Sequence, residues 1–218
     1  GDTFDHRFAN CIAVAGLTER DVILRCQSTG RSPPLNRHRH RMRIVGGKWA
    51  DRDLVSPGGR IRPTAETVRD RWLTLLAGSL DGARVLDLFA GSGALGLEAM
   101  SRGASRVDFV ENGSASLHSL KANVAAFRVT KKTRIFKRDA IPFVEALEEG
   151  VYDIAFADPP YGSRKLDRVV QRWHEVPFSR ILCVEHEREH RLEGKAKRYD
   201  FPGETRVTVF TSHKRRPK

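Results

Sequence analysis

The residues with the most chemistry per position are Asp158-Pro159-Pro160-Tyr161. They follow an apolar run, Tyr152 to Ala157, that reads as a buried strand. Two consecutive prolines fix the backbone and remove two N–H donors. What is left are acceptors, namely the Asp158 carboxylate and the neighbouring carbonyls. An exocyclic amine of a nucleobase is a donor and needs such acceptors. Tyr161 adds a flat face on which a base can stack. A turn with no ligand is the plain alternative, and its place at a strand end beside a glycine loop argues against it.

That glycine loop is Asp87-Leu-Phe89-Ala90-Gly91-Ser92-Gly93-Ala-Leu-Gly96. Gly91, Gly93 and Gly96 match the spacing of the dinucleotide fingerprint, a weak signal by itself. A dinucleotide would put pyrophosphate on the following helix N-terminus. Asp87 would sit near that anion, so a cationic or zwitterionic ligand suits the loop better. S-adenosylmethionine, with an ammonium, a sulfonium and no phosphate, is such a ligand. The loop residues Phe89, Ala90, Gly91, Ser92 and Gly93 are then cofactor contacts. Glu111, at the next strand end, is placed to accept ribose hydroxyls. Asp139-Ala140, at the third, suits an adenine amino group, although Asp139 could equally cap a helix.

These residues need elements to position them. From Arg84 the chain alternates strand and helix. Strands are expected at 85–89, 107–110, 133–137, 152–157 and 180–184, with helices at 94–102, 114–127, 141–147 and 166–173. Such alternation gives a mostly parallel sheet covered on both faces, an α/β fold with ligands at the carboxyl strand ends. Two last strands, 196–200 and 205–211, lack a helix between them and predict an antiparallel edge hairpin. Upstream, Met42–Trp49 and Arg52–Val55 predict a small β-hairpin. A helix should follow Arg62-Pro63, with Thr64 as N-cap and Gly78 as stop. Its buried face should hold Val68, Trp72, Leu75 and Leu76.

Composition narrows the classes. The chain has 218 residues and a formal net charge of +12, which points to an anionic partner, nucleic acid first. No apolar run approaches the roughly 18 residues of a membrane span. Cys11, Cys26 and Cys183 are too widely spaced for a disulfide framework or zinc pattern, which suits a reducing, cytoplasmic setting. His186-Glu-Arg-Glu-His190 matches a zinc pattern that needs a helix, but a strand runs into it, so a charged loop and no metal are expected. Cys183 reads as a core residue. Residues 1–41 read as a basic arm, or as sequence upstream of a start at Met42. They carry seven Arg against four Asp and Glu, so most of the positive charge belongs to the remainder. The expected parts are therefore 1–41, a hairpin extension over 42–63, and a catalytic domain over 64–218. Arg43, Lys48, Arg52, Arg60 and Arg62 cluster around the hairpin, with Thr64 beside them, and form the expected phosphate-contacting set. Lys214, Arg215, Arg216 and Lys218 add a second group.

With these residues in view, Asp87–Gly96 together with Asp158-Pro-Pro-Tyr161 resembles the class I S-adenosylmethionine-dependent amino-methyltransferases of nucleic acids. Met42-Arg-Ile-Val-Gly-Gly-Lys, Arg62-Pro-Thr and Val85–Ala99 narrow the likeness to the bacterial 16S rRNA guanine-N2 methyltransferases of the RsmD type. The resemblance runs from Met42 to about Thr211. It implies a Rossmann-like methyltransferase domain, an N-terminal hairpin that helps hold RNA, and a base presented by 16S rRNA or the 30S subunit. A monomer with S-adenosyl-L-methionine as cofactor is expected, with Asp158, Pro159, Pro160 and Tyr161 as the catalytic set. Asn112-Gly113 departs from the usual charged pair after Glu111. Three rivals stay open: methylation of DNA adenine N6 with the same motif, a nicotinamide-dependent oxidoreductase, and a non-enzymatic RNA-binding protein.

Overall fold

The computed structural model describes residues 42–57, 63–160 and 162–212. The proposed arm 1–41, Arg60, Arg62, Tyr161 and the basic residues from Lys214 onward lie outside the described residues.

Long apolar runs buried on both faces make the central strands. β1 is Arg84–Leu88, β2 Arg106–Glu111, β3 Thr133–Lys137 and β4 Tyr152–Ala157. β5 is Ser179–Glu187, β6 Lys197–Asp200 and β7 Thr205–Thr211. They form one sheet in the order β3-β2-β1-β4-β5-β7-β6. β1 to β5 run parallel, and β7 pairs antiparallel with both β5 and β6. The expected α/β class and antiparallel edge are therefore present. The chain builds outward from β1 to β3, then crosses back to place β4 on the other side of β1. That reversal opens a crevice at the carboxyl ends of β1 and β4, where open α/β sheets bind ligands.

The helices are α1 (Pro63–Leu75), α2 (Ala77–Leu80), α3 (Ala94–Ser101), α4 (Ser114–Ala126), α5 (Ala140–Glu145) and α6 (Lys165–Glu175). Leu166, Val169, Val170 and Trp173 recur at helical spacing on α6 and are all buried. α3 is buried on every side because it lies between the sheet and the N-terminal segment.

Alternation along the strands splits the core in two. Val85, Ile154, Phe156, Ile181 and Cys183 face α1 and α3. Leu86, Leu88, Ala155, Ala157, Leu182 and Val184 face α5 and α6.

Four local expectations need correction. α1 begins at Pro63, so Thr64 lies inside its first turn rather than capping it. Gly78 does not end α1; it sits within α2. Leu75 is 42% exposed, and Leu73 is the buried residue instead. The buried stripe is rotated because Glu98 draws Arg69 of α1 inward. The upstream hairpin is short. Ile44 N donates to Arg52 O (2.9 Å) and Leu54 N to Met42 O (2.7 Å), while the tip folds into a 3-10 turn at Gly47–Trp49.

Candidate active site

A cavity of about 630 Å³ lies at the switch-point crevice. Its walls include Phe89 and Gly91 of the glycine loop, Glu111 at the end of β2, and Ala140 at the start of α5. Asp158, Pro159 and Pro160 close the opposite side. Four separate sequence motifs thus meet around one space.

The loop between β1 and α3 turns through left-handed backbone at Phe89 (φ 59°), Gly91 (56°) and Gly93 (78°). Such a conformation is costly for a residue with a Cβ, so Phe89 stores strain beside the cavity. Gly93 could not carry a side chain, since a Cβ there would collide with Leu120. At Gly96 the restriction is close approach: a Cβ would lie 2.5 Å from Phe109 and 2.9 Å from Asp87 Oδ2. The Gly96 N–H donates to that same Asp87 oxygen at 2.9 Å. Asp87 is therefore buried beneath the loop and braces the start of α3, rather than lining the cavity. Burial, with the Glu111 charge adding, pushes its carboxyl up to about 7. Ser92 and Gly93 likewise belong to the frame of the loop; the Ser92 carbonyl accepts from Asn123 (2.9 Å).

Glu111 is held by backbone. Oε1 accepts from Asn112 N (2.9 Å) and Gly113 N (2.7 Å), and Oε2 from Gly91 N (2.7 Å). A carboxylate has about four acceptor positions. Three are used, leaving one for a ribose hydroxyl; holding both hydroxyls requires one N–H to be exchanged. Asp139 caps α5 by accepting from Ile141 N (3.0 Å). Its second oxygen pairs with Lys165 Nζ at 2.6 Å, and that lysine holds the carboxyl below its ordinary range. The structure thus gives Asp139 the capping role, with Ala140 on the cavity wall.

Asp158 lies one position beyond Ala157, and Glu185 one beyond Val184, the residues paired at the end of the β4–β5 ladder. Asp87 is on β1, the strand on the other side of β4. Asp158 faces the open cavity but has protein on its other sides. That burial, with repulsion from Glu185 and then Asp87, pushes its carboxyl well above the ordinary range. Asp158 is itself exposed toward the cavity, which weakens the burial effect and leaves the repulsion acting in the same direction.

Glu98 on α3, fully buried, anchors the N-terminal hairpin. It accepts from Val45 N (3.0 Å) and Gly46 N (2.8 Å). Arg69 Nε (3.0 Å) and Arg102 Nη2 (2.8 Å) complete its shell. At the hairpin surface Lys48 lies 4.6 Å over Trp49, Arg52 lies 4.1 Å over Phe127, and those two rings are 5.0 Å apart. Lys48 and Arg52 thus present charge on an aromatic base. Arg43 is instead tied to Asp51 (2.9 Å) and Glu66 (3.5 Å), which leaves less of its charge for phosphate.

The zinc-like motif starts inside β5, which is longer than its apolar run suggests. His186 is buried and uses both ring nitrogens, on the Glu187 carbonyl and on Thr208 Oγ1 (each 2.8 Å). His190 engages Asp167 (2.8 Å). Among the described residues no group of three or more His, Cys, Asp or Glu could hold a metal ion. Cys183 is buried, which pushes its thiol to about 12 and leaves no thiolate at neutral pH. The cavity residues that sequence reasoning misses are Lys165, Arg138, Ser163 and Ser116. No local pattern marks them. Glu185, outside the cavity lining, is different: it is a carboxylate that directly follows the apolar run of β5, just beyond the last rung with β4.

A family model described as conserved hypothetical protein 95 matches residues 42–201. Ribosomal RNA small subunit methyltransferase D of Escherichia coli K12 is 37% identical over 157 residues, covering 69% of this chain and 77% of that protein. The structure of yhhF from Escherichia coli aligns with a TM-score of 0.69 at 30% identity, over 78% of this chain and 97% of that one. The 16S rRNA N2 G1207 methyltransferase RsmC of Thermus thermophilus, solved with AdoMet and guanosine, shares the fold. Its TM-score is 0.59 at 22% identity, over 79% of this chain and 50% of that one. The matched span holds the hairpin, the glycine loop and the Asp158-Pro159-Pro160 turn, and the chain belongs to the conserved hypothetical protein 95 family, that of the RsmD-type rRNA methyltransferases.

Proposed function

We propose that this protein transfers a methyl group from S-adenosylmethionine to the exocyclic N2 amine of a guanine in small-subunit ribosomal RNA, acting in the cytoplasm. The observation that carries the reading is the Asp158-Pro159-Pro160 turn forming one wall of a cavity whose other walls are the glycine loop and Glu111. The cofactor fits this donor set. The volume lies in the ordinary range for small-molecule sites. Glu111 keeps an acceptor position for a hydroxyl, Phe89 offers an apolar face, and the carboxylates at the strand ends suit positive charge. When bound, S-adenosylmethionine supplies an electrophilic methyl carbon and departs as a neutral thioether.

The chain's own residues do the rest. A guanine amine is a poor nucleophile because its lone pair is delocalised into the ring. Asp158 and the Pro159 carbonyl would hold the two amine protons out of the ring plane. They bind the pyramidal nitrogen of the transition state better than the flat ground state. The N–C bond forms as the S–C bond breaks. The nitrogen then carries positive charge and releases one proton to Asp158 or to water. Holding the amine beside the methyl carbon supplies much of the remaining acceleration. The base must leave its stack to enter.

The test is methyl transfer from labelled cofactor to 30S particles, naked rRNA and DNA, followed by nucleoside analysis. Label in N2-methylguanosine of 16S rRNA is the expected result. Label in DNA as N6-methyl-2′-deoxyadenosine would overturn the substrate assignment.

A further inference from the structure

Glu185 is one residue beyond the last β4–β5 rung, as Asp158 is, so the two are lateral neighbours where that ladder ends. Its side follows from alternation. Ile181 and Cys183, two and four residues earlier, pack in the core beneath α1 and α3, and so does Val207, its partner on β7. The cavity's Val110 and Ala140 belong to the opposite core, and Phe89 packs against that one. Glu185 therefore stands beside Asp158 on the side of the hairpin and α1, away from the half of the crevice that suits the cofactor. Its charge repels the Asp158 carboxylate more strongly than that of Asp87 does.

We propose that Glu185 reads the Watson–Crick edge of the target base, its carboxylate accepting the N1–H of guanine while Asp158 holds the adjacent amine. The inference rests on the reading that Asp158 seats an exocyclic amine. Guanine presents two donors side by side, N1–H and the N2 amine. Adenine presents its amine beside an N1 lone pair, which a carboxylate repels. Two neighbouring carboxylates suit the first pattern and disfavour the second. This gives the Asp-Pro-Pro turn, which serves either amine, a companion that tells them apart.

The probes are guanosine and 2-aminopurine riboside, binding to the full chain loaded with S-adenosylhomocysteine. The second nucleoside keeps the 2-amine but has a lone pair at N1. The parent should favour guanosine by roughly 10- to 100-fold, the worth of one hydrogen bond to a charged group. In Glu185→Gln the amide can donate to N1, and the ratio should fall to within about threefold; Glu185→Ala should lose the preference too. Cofactor-product affinity and the unfolding midpoint should hold in Glu185→Gln, which a merely structural role would not separate from base choice. An unchanged ratio in both variants, or a parent with no preference, overturns the proposal. If the parent methylates guanine in 30S particles while the ratio stays unchanged, only Glu185 loses its role. If the parent methylates no guanine, the underlying reading fails first.

Discussion

Asp158 and Asp87 sit on adjacent strands, and both carboxyls are raised, but they do different work. Asp158 faces the cavity and should touch the reacting amine. Asp158→Ala should lower transfer at least about a hundredfold with cofactor affinity retained, as for loss of a group used in the transition state. Isothermal titration with S-adenosylhomocysteine beside a turnover assay separates the two. Loss of affinity with turnover intact would reverse the assignment. Asp87 works from beneath the glycine loop, so Asp87→Ala should weaken cofactor binding and loosen the start of α3. Its pH signature has a definite sign. The folded-state value, about 7, lies above the ordinary value of 3.8, so the unfolded chain loses its proton first. The stability contributed is full below the lower value and disappears as pH rises through the upper one. Thermal unfolding of the cofactor-free protein should show this loss between about pH 4 and pH 7, and Asp87→Asn should flatten it. An Asp87→Asn profile that matches the parent would contradict it.

At the scale of elements, α3 joins the site to the hairpin. Its first turn rests on Asp87, and its middle carries Glu98, which receives the hairpin backbone and Arg69. Removing that carboxylate leaves a buried arginine without its partner. Glu98→Ala should cost roughly 3–5 kcal/mol of stability, read by denaturant unfolding. The corrected α1 face gives a paired test. Leu73→Ala should cost roughly 2–5 kcal/mol and Leu75→Ala under about 0.5. The reverse order would restore the face expected from the sequence. These elements also show what is legible without a structure. β1 and β4 read almost to the residue because strands covered on both faces are largely apolar runs, and their ends carry the chemistry; the edge strand β3 shows its place by alternation with the helices instead. The buried face of α1 is not legible locally, because Arg69 is polar in sequence yet buried by a partner 29 residues away. The Asp139–Lys165 and Glu98–hairpin contacts are equally long-range, and no local pattern contains them. β5 runs past Val184 because β7 pairs with Glu185, His186 and Glu187. A polar stretch became strand through pairing rather than burial.

Over the whole molecule, a formal charge of +12 coexists with carboxylates gathered around the crevice. Asp87, Asp158 and Glu185 belong to the neighbouring strands β1, β4 and β5 or directly follow them, where their parallel ladders end, an arrangement suited to a cationic cofactor and a donor base edge. Lys48 and Arg52, seated on Trp49 and Phe127, hold positive charge at the hairpin surface. Among the described residues no helix is long and apolar enough to cross a membrane. A basic rim implies that affinity for an rRNA substrate falls steeply with salt, by about 0.7 to 0.9 in logarithmic slope per phosphate contacted. Lys48→Ala and Arg52→Ala should each reduce that slope. A flat salt dependence in the parent would remove the rim from the account. The central claim is that the Asp158 turn delivers a methyl group to a guanine amine of small-subunit rRNA. Its most direct test is the incubation of labelled S-adenosylmethionine with the protein and 30S particles lacking the modification, followed by nucleoside mass spectrometry. The account predicts a single labelled N2-methylguanosine that is absent with Asp158→Ala. Label on any other nucleoside, or equal label with that variant, would contradict it.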